Sequence, residues 1–309
     1  MMLVSTPTNP VPDGAVTGAV KTRDGALLRY ARWGAEGPYK GVVCVLQGRA
    51  EYVEKYFETV RALRSRGFSV VTFDWRGQGG SGRALADPRK GYVESFRQYD
   101  ADLETVMTEV VLPSSPPPII GLAHSMGGAV VLRSAASGHR YFDRIVLTAP
   151  MIGLPFPASS AFARAALHAM RVGGLGSSYV PGGRGASMDL RPFTGNLRTS
   201  DPERYARNAE IVATAPALGL GSPTIAWTDA AFEAMQEFAG AGYPGRIREP
   251  MLIVAPGWDR IVSTAASRLF AGRSSAASHL VIADARHELL MEHDDHRGRF
   301  WSAFDSFAG

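Results

Sequence analysis

The chain has 309 residues, of which 45% are hydrophobic and 20% are charged, a balance that excludes a wholly disordered protein. The 33 Lys and Arg residues outnumber the 29 Asp and Glu residues, but no basic run concentrates that charge, which disfavours nucleic-acid binding. A small cationic excess is compatible with acidic substrates or with transient contact with a membrane surface.

The single cysteine and the first residues bear on the cellular compartment. Cys44 has no second cysteine with which to form a disulfide, and its place in the apolar run 41–46 predicts a buried thiol. The first residues lack a basic segment followed by an apolar one, and no apolar run reaches the length of a membrane span. We therefore expect a cytoplasmic protein.

Apolar periodicity predicts alternating strands and helices along most of the chain. Residues 1–16 lack periodicity and are expected to form a loosely held arm before a strand at 26–33 that lies near the edge of the sheet. Short apolar runs predict strands buried on both faces at 41–46, 69–73, 118–122, 144–148 and 251–255. Helical periodicity predicts helices at about 51–66, 95–111 and 126–138. Near the end of the chain, the sequence predicts a last strand at 279–283 and a last helix at 293–307. This order predicts a mostly parallel sheet flanked by helices.

The stretch from Met151 to about Gly245 interrupts the alternation. It contains an amphipathic Ala-rich segment, a Gly-rich segment and no clear strand. Sheet-flanking helices joined by long loops would give a similar pattern, but a segment of this length is more typical of a functional lid. We therefore predict a core of residues 1–150 and 246–309, and an inserted, mainly helical cap of residues 151–245.

A serine lies on a predicted tight turn between a strand and a helix. The strand Pro118-Ile-Ile-Gly-Leu122 leads into Ala123-His-Ser-Met-Gly-Gly128, and a helical segment follows. Such a turn needs small residues two positions before and after the serine, which Ala123 and Gly127 provide. The pentapeptide alone occurs by chance in many chains, but its context predicts a nucleophile elbow with Ser125 as the nucleophile.

An acid and a base follow late strands, in the chain order that such a serine requires. Asp259 comes after the predicted strand 251–255, and His287 comes after the predicted strand 279–283. All three groups are needed, because imidazole must accept the serine proton and a carboxylate must orient the imidazole and stabilise its cation. We therefore predict a catalytic triad of Ser125, Asp259 and His287.

Two backbone amides are expected to stabilise the oxyanion. The Met126 N–H lies at the start of the predicted helix, where the helix dipole favours negative charge. The second donor should come from the turn Gln47-Gly-Arg-Ala50, and we assign it to the Arg49 N–H. An ordinary loop after a strand could have the same sequence, because a backbone N–H donor does not require a particular side chain.

Other titratable residues are interpreted as structural. His124 is expected to point away from the nucleophile and to support the turn. Asp74 ends a strand that precedes the serine, and we assign it, with Arg76, to a structural Gly-rich turn. The pairs His287-Glu288 and Glu292-His293 lack a second ligand at helical spacing, so we predict neither a metal nor a cofactor.

Four short motifs support a family assignment. They are Gln47-Gly-Arg-Ala-Glu51, Asp74-Trp-Arg-Gly-Gln-Gly-Gly-Ser81, Ala123-His-Ser-Met-Gly-Gly128 and Ala285-Arg-His-Glu-Leu-Leu-Met-Glu292. Together they resemble motifs of the monoglyceride lipase and bacterial lysophospholipase branch of the α/β-hydrolases, which is also described as serine-aminopeptidase-like. The resemblance covers about residues 25–150 and 245–305 and implies an α/β-hydrolase fold. It implies the same roles for Ser125, Asp259, His287, Arg49 and Met126.

These observations predict a serine hydrolase of carboxylic esters, acting on a small-molecule or lipid ester. The resemblance implies a lysophospholipid or a monoacylglycerol as substrate. Several apolar cap residues are expected either to line an acyl groove or to pack the cap onto the core. They are Phe156, Phe162, Leu167, Met170, Phe193, Trp227, Phe232 and Met235.

Two alternatives remain open. An amidase or aminopeptidase with the same triad would need an acidic group in the cap to hold a substrate amine, and Asp189, Glu203, Glu210 and Asp229 are available. A catalytically silent binding protein on the same fold is the second alternative, because a fold does not determine a function. The sequence makes no prediction about oligomeric state.

Overall fold

The central element is a sheet of eight strands in the order β1-β2-β4-β3-β5-β6-β7-β8. The computed structural model describes residues 2–155 and 160–309. Its strands are β1 (Val16–Lys21), β2 (Leu27–Trp33), β3 (Gly41–Leu46), β4 (Phe68–Phe73), β5 (Ile119–His124), β6 (Arg144–Thr148), β7 (Met251–Pro256) and β8 (Ala277–Ile282). Its α helices are α1 (Phe57–Arg64), α2 (Arg97–Val106), α3 (Met126–Ala136), α4 (Ala161–Met170), α5 (Pro202–Thr214), α6 (Ile225–Ala239), α7 (Thr264–Ala271) and α8 (Asp294–Ala308).

The sheet is parallel except at one edge. Strands β1 and β2 pair antiparallel, and β2 also pairs antiparallel with β4. The pairs from β4 through β3, β5, β6 and β7 to β8 are all parallel. Because parallel strands run in one direction, the loops after β3, β5, β7 and β8 emerge at the same edge. The predicted mostly parallel α/β sheet is confirmed.

The strands in the middle of the sheet are apolar because helices cover both of their faces. All six residues of β3, β5 and β7 are buried. One core cluster joins the sheet to α2, α3 and α6, and a second joins the opposite face to α1 and α8. Phe300, Trp301 and Phe304 of α8 are buried in the second cluster, as the predicted apolar stripe requires. No helix in the described ranges combines the length and apolarity needed to cross a membrane.

The chain between β6 and β7 contains α4, α5 and α6, joined by long irregular segments. Its described residues form no strand of the central sheet. Helix α6 packs into the core cluster on the face that holds α2 and α3. The backbone of Gly221 also bonds to the core, since its N–H donates to the Arg89 carbonyl over 2.9 Å. The assignment of residues 151–245 as a cap remains a proposal.

The prediction of a loosely held amino-terminal arm is wrong. Thr6 and Asn9 are buried, and the Asn9 side chain donates a hydrogen bond to the Glu54 carbonyl over 2.8 Å. The Trp33 indole N–H donates to the Pro12 carbonyl over 3.0 Å. Individual hydrogen bonds hold the arm on the core, so its sequence needs no periodic pattern. A helix or a strand, in contrast, would place every second to fourth residue on one face.

Two further elements were not predicted. Strand β1 has no fully buried residue and lies at the sheet edge, so its sequence lacks an apolar run. Helix α7 has only eight residues. The sequence feature that could have predicted it is the N-cap residue Ser263, whose hydroxyl accepts a hydrogen bond from the Ala266 N–H over 3.2 Å. The predicted helix at 51–66 is shorter, because a 3-10 turn at Val53–Tyr56 precedes α1.

A buried ion cluster connects β2, the turn before α1 and the loop after β4. The Arg29 guanidinium donates two hydrogen bonds of 2.7 Å to the Glu54 carboxylate and one of 2.6 Å to Asp74. Asp74 also accepts from the backbone N–H groups of Val53 at 2.9 Å and Gly80 at 2.7 Å. Asp74 is therefore a structural residue, as its place before the serine suggested.

Replacing Arg29 with leucine should lower the free energy of unfolding by about 3–5 kcal/mol, because two buried carboxylates would lose their cation. Urea denaturation of the whole chain measures this change. The matched control is Arg89→Leu, which removes an exposed ion pair with Asp87 and should cost about 1 kcal/mol or less. Equal losses in both variants would contradict a structural role for the cluster.

Candidate active site

Ser125 lies between β5 and α3 in a strained backbone conformation. Its φ of 49° and ψ of −113° fall outside the regions that residues with side chains ordinarily adopt. Hydrogen bonds hold this turn on both sides. The Ser125 N–H donates to the Thr148 carbonyl over 3.1 Å, and the Ser125 carbonyl accepts from the Met151 N–H over 3.0 Å. The turn has the strand-to-helix geometry of a nucleophile elbow.

The first turn of α3 packs tightly against the end of β3. A Cβ atom at Gly127 would lie 2.4 Å from the Leu46 carbonyl oxygen and 2.5 Å from that of Gln47, distances that no side chain tolerates. Glycine is therefore required at position 127. Its absence of a side chain lets the loop after β3, with Arg49, approach the helix start at Met126.

The structure brings Ser125, His287 and Asp259 together from three loops. The His287 Nε2 lies 3.1 Å from the Ser125 Oγ, and the His287 Nδ1 lies 2.8 Å from the Asp259 Oδ2. The loops after β7 and β8 are joined directly, since the Trp258 N–H donates to the Ala285 carbonyl over 3.0 Å. This geometry allows proton transfer from the serine hydroxyl to the imidazole.

Hydrogen bonds and charge tune the acid and the base. Asp259 accepts hydrogen bonds from the backbone N–H groups of Ile261 at 2.7 Å and Val262 at 2.9 Å. Burial raises the pKa of Asp259, but His287 and these donors outweigh it, so the pKa lies below its ordinary value. Burial likewise lowers the pKa of His287, but the Asp259, Glu288 and Glu51 carboxylates together outweigh it and raise that pKa above its ordinary value.

The two predicted oxyanion donors are available amides. In the loop after β3, the Gly48 N–H donates to Glu51 over 2.5 Å and the Ala50 N–H donates to Gln78 over 3.2 Å. The Arg49 N–H between them donates to none of the described residues, and neither does the Met126 N–H at the first turn of α3. Both residues line the cavity that contains Ser125.

That cavity has a volume of about 280 Å³ and a largely apolar wall. The wall is built by the core and by the segment between β6 and β7. Its apolar residues are Ala50, Met126, Met151, Leu154, Met188, Pro223, Trp227, Ala231, Met235, Ile261 and Val262. Of the cap residues proposed for an acyl groove, Trp227 and Met235 line this cavity, whereas Phe162 is 84% exposed and Phe156 lies outside the described residues.

The cavity wall also contains a buried charge cluster that the sequence did not predict. The Lys55 ammonium lies 2.7 Å from the Glu51 carboxylate and 2.8 Å from the Glu288 carboxylate. Arg198, from the segment after β6, lies 3.7 Å from Glu288 and forms a second ion pair with Asp189. The spacing of Glu51 and Lys55, four residues apart, could have predicted their ion pair. Arg198 belongs to no recognisable motif, so its position could not be predicted.

His124 lines the same cavity. Its Nδ1 lies 3.1 Å from both the carbonyl oxygen and the hydroxyl of Thr148, and its ring centre lies 4.8 Å from that of His287. Burial lowers the pKa of His124 to about 4, so it is neutral near pH 7. The prediction that it supports the turn agrees with the contacts to Thr148, but its ring also packs against the candidate base.

Among the described residues, one group of side chains has a spacing that could suit a metal ion. His168, Asp229 and Glu233, of which Asp229 is buried, approach one another between α4 and α6. The Arg171 guanidinium lies 2.9 Å from Asp229 and 3.4 Å from Glu233, which balances both carboxylates. We interpret the group as an ion-pair cluster.

The sheet order, the elbow and the serine, histidine and aspartate geometry define the α/β-hydrolase class. The family model Hydrolase_4, described as serine aminopeptidase S33, matches residues 37–294. The chain therefore belongs to the serine aminopeptidase S33 family of hydrolases. The predicted family resemblance is confirmed.

Relatives with established names agree with this assignment. The chain is 34% identical over 281 residues to lysophospholipase L2 of Escherichia coli K12, covering 88% of this chain and 81% of that protein. It is 24% identical over 275 residues to a monoacylglycerol lipase of Mycolicibacterium smegmatis, covering 87% and 88% of the two chains. A soluble variant of monoglyceride lipase from Saccharomyces cerevisiae shares the fold, with a TM-score of 0.74, 18% identity and coverage of 95% and 96%. The family and these names support an ester hydrolase.

Proposed function

We propose that this protein hydrolyses a lysophospholipid or a monoacylglycerol through an acyl-enzyme on Ser125. The observation that carries the proposal is the continuous contact from Ser125 Oγ to His287 to Asp259, inside a cavity with an apolar wall. A weakly nucleophilic hydroxyl needs this base to react near neutral pH. The residues themselves supply nucleophile, base and electrostatic stabilisation, so the mechanism uses no cofactor.

In the acylation step, the Ser125 Oγ attacks the ester carbonyl carbon and its proton moves to the His287 Nε2. The carbonyl oxygen becomes an oxyanion, which the Arg49 and Met126 amides stabilise. His287 then donates the proton to the leaving alcohol oxygen as the tetrahedral intermediate collapses. The products of this step are the free alcohol and the acyl ester of Ser125.

In the deacylation step, water replaces the alcohol. His287 accepts a proton from the water as the water oxygen attacks the acyl carbonyl, and the same two amides hold the oxyanion. Collapse of this intermediate returns the proton to the Ser125 Oγ and releases the carboxylic acid. Asp259 keeps Nδ1 of His287 protonated throughout and stabilises the imidazolium.

The cavity suits an ester with one acyl chain and a polar headgroup. Met151, Trp227 and Met235 provide apolar surface for the chain, while Lys55 and Glu51 provide polar groups in the same cavity wall. The segment 151–245 contributes several of these side chains, which supports its proposed role as a cap over the active site. The names of the relatives favour the same two substrate classes.

The aminopeptidase alternative lacks an obvious anchor for a substrate amine. The four cap acids considered from the sequence do not line the cavity. Asp189 is paired with Arg198, and Asp229 is paired with Arg171. Glu51 and Glu288 do line the cavity, but both carboxylates already form ion pairs with Lys55. A substrate ammonium would have to displace that lysine, whereas an ester needs no such anchor.

A substrate panel tests the proposal. The purified chain is assayed with 1-palmitoyl-lysophosphatidylcholine, 1-palmitoylglycerol, p-nitrophenyl esters of short and long acyl chains, and aminoacyl p-nitroanilides. We expect turnover of the long-chain lipid esters and little turnover of the anilides. Turnover of the anilides alone would establish the aminopeptidase alternative.

The rate should fall on acidification through an apparent pKa above the ordinary histidine value, because protonated His287 cannot accept the serine proton. The Asp259, Glu288 and Glu51 carboxylates all favour the protonated form of His287 and oppose the effect of burial. A pH profile of kcat/KM measures the acidic limb. Titration of the His287 ring protons by NMR provides an independent value, which should fall in Asp259→Asn; an unchanged value would contradict the assigned cause.

A further inference from the structure

The side chain of Arg49 extends along the cavity wall away from its own backbone amide. Its Nη2 donates a hydrogen bond to the Gly221 carbonyl over 3.0 Å, and its guanidinium carbon lies 5.1 Å from the centre of the Trp227 ring. The Nε is buried and has no hydrogen-bond partner among the described residues. Arg49 therefore combines a candidate oxyanion amide with a cationic side chain in one cavity.

Arg49 differs from the other cations of this cavity in its charge balance. Lys55 lies between two carboxylates, and Arg198 is paired with Asp189. The described contacts of Arg49 are a carbonyl oxygen and an aromatic ring, and they include no carboxylate. The five residues outside the description carry no acidic side chain either. Among the described residues, Arg49 is thus the one lysine or arginine of the cavity wall that contacts no carboxylate.

A cation without a counter-anion is costly to bury, and an entering anion would offset that cost. Burial lowers the pKa of Arg49 to about 10, so the guanidinium is still charged near pH 7. Guanidinium groups bind phosphate oxygens through paired N–H donors, and the vacant Nε–H is one of the donors that such a fork uses. The site is therefore suited to a phosphate group.

We infer that the Arg49 guanidinium binds the phosphate of a lysophospholipid headgroup and makes the enzyme selective for phosphate-bearing esters over neutral glycerol esters. This inference rests on the proposed function of the same cavity. In a lysophospholipid, three glycerol carbons separate the acyl ester from the phosphate, a span comparable to an arginine side chain. An acyl carbonyl held at the Arg49 amide would thus place the phosphate within reach of the guanidinium.

The product carboxylate is a weaker candidate for the same group. After deacylation that carboxylate lies at Ser125, where the two oxyanion amides can already donate hydrogen bonds to it. The Arg49 side chain instead contacts Gly221 and Trp227, which belong to the segment after β6. A headgroup that extends from the ester toward this segment meets the guanidinium, whereas the carboxylate does not.

The test compares kcat/KM for 1-palmitoyl-lysophosphatidylcholine and 1-palmitoylglycerol in three variants. Arg49→Gln should lower the ratio of the two values by about tenfold or more, because a charge-assisted hydrogen bond is lost for one substrate only. Arg49→Lys, which retains the charge without the fork, should recover part of the ratio. The matched control Arg89→Gln removes an exposed arginine of the segment that bonds to Gly221 and should leave the ratio unchanged.

Inhibition separates the headgroup from free phosphate. Glycerophosphocholine and inorganic phosphate are each tested against p-nitrophenyl ester hydrolysis, and we expect stronger competitive inhibition by glycerophosphocholine, lost in Arg49→Gln. An unchanged substrate ratio in Arg49→Gln would overturn the inference, as would inhibition by inorganic phosphate alone. Absence of turnover of both esters by the unmodified chain would instead overturn the proposed function itself.

Discussion

Replacing Ser125 with alanine is expected to lower kcat for ester hydrolysis by about 10⁴-fold or more, while the chain stays folded. The substitution removes the hydroxyl that lies 3.1 Å from the His287 Nε2, and with it the acyl-enzyme route. The turn should persist, because its hydrogen bonds to Thr148 and Met151 use backbone atoms only. Single-turnover kinetics with a p-nitrophenyl ester measures the loss.

The matched control is Ser137→Ala, at the carboxyl end of the same helix. Its hydroxyl donates to the Ser134 carbonyl over 2.8 Å and is remote from the cavity, so kcat should stay within about twofold of the unmodified chain. Circular dichroism and thermal unfolding verify that both variants are folded. A folded Ser125→Ala protein that keeps most of its activity would exclude the acyl-enzyme mechanism.

Replacing Asp259 with asparagine is expected to lower kcat by about 10⁴-fold, although it changes only one atom of the side chain. The amide oxygen can still accept from the Ile261 and Val262 N–H groups, so the loop geometry should be preserved. The amide NH₂ would then face His287 Nδ1 and favour the tautomer with the proton on Nε2. That tautomer cannot accept the serine proton.

The matched control is Asp284→Asn, in the loop that leads from β8 to His287. Asp284 is exposed and has a φ of 62°, a conformation that asparagine also adopts readily. We expect nearly unchanged kcat for this variant. If Asp259→Asn were as active as Asp284→Asn, the acid of the proposed mechanism would have to be another residue.

The parallel part of the fold was predictable because its signal is local. Strands β3, β5 and β7 are buried over their whole length, so the sequence of each strand is a nearly continuous apolar run. Strand β1 was missed because an exposed edge strand needs no such run and its partner β2 holds its register. The arm at residues 2–15 was misjudged for a related reason, because hydrogen bonds to Glu54 and Trp33 hold it without any periodic pattern.

The candidate site was predictable only in part. Ser125, Asp259 and His287 could be chosen because each follows a strand and their chain order matches the chemistry. The charge cluster of Lys55, Glu288 and Arg198 could not, since it forms between segments far apart in the chain. The side-chain role inferred for Arg49 depends in the same way on Gly221 and Trp227, whose positions follow from the packing of α6.

The most direct test of the central claim is intact-mass analysis after treatment with a fluorophosphonate, alongside an ester hydrolysis assay. We expect one adduct per chain, located on Ser125 by peptide mapping, with ester hydrolysis lost in proportion to labelling and no adduct on Ser125→Ala. A fully labelled chain that still hydrolyses esters would contradict Ser125 as the nucleophile. A folded and pure chain with neither an adduct nor ester turnover would contradict the serine hydrolase assignment and favour a binding protein on this fold.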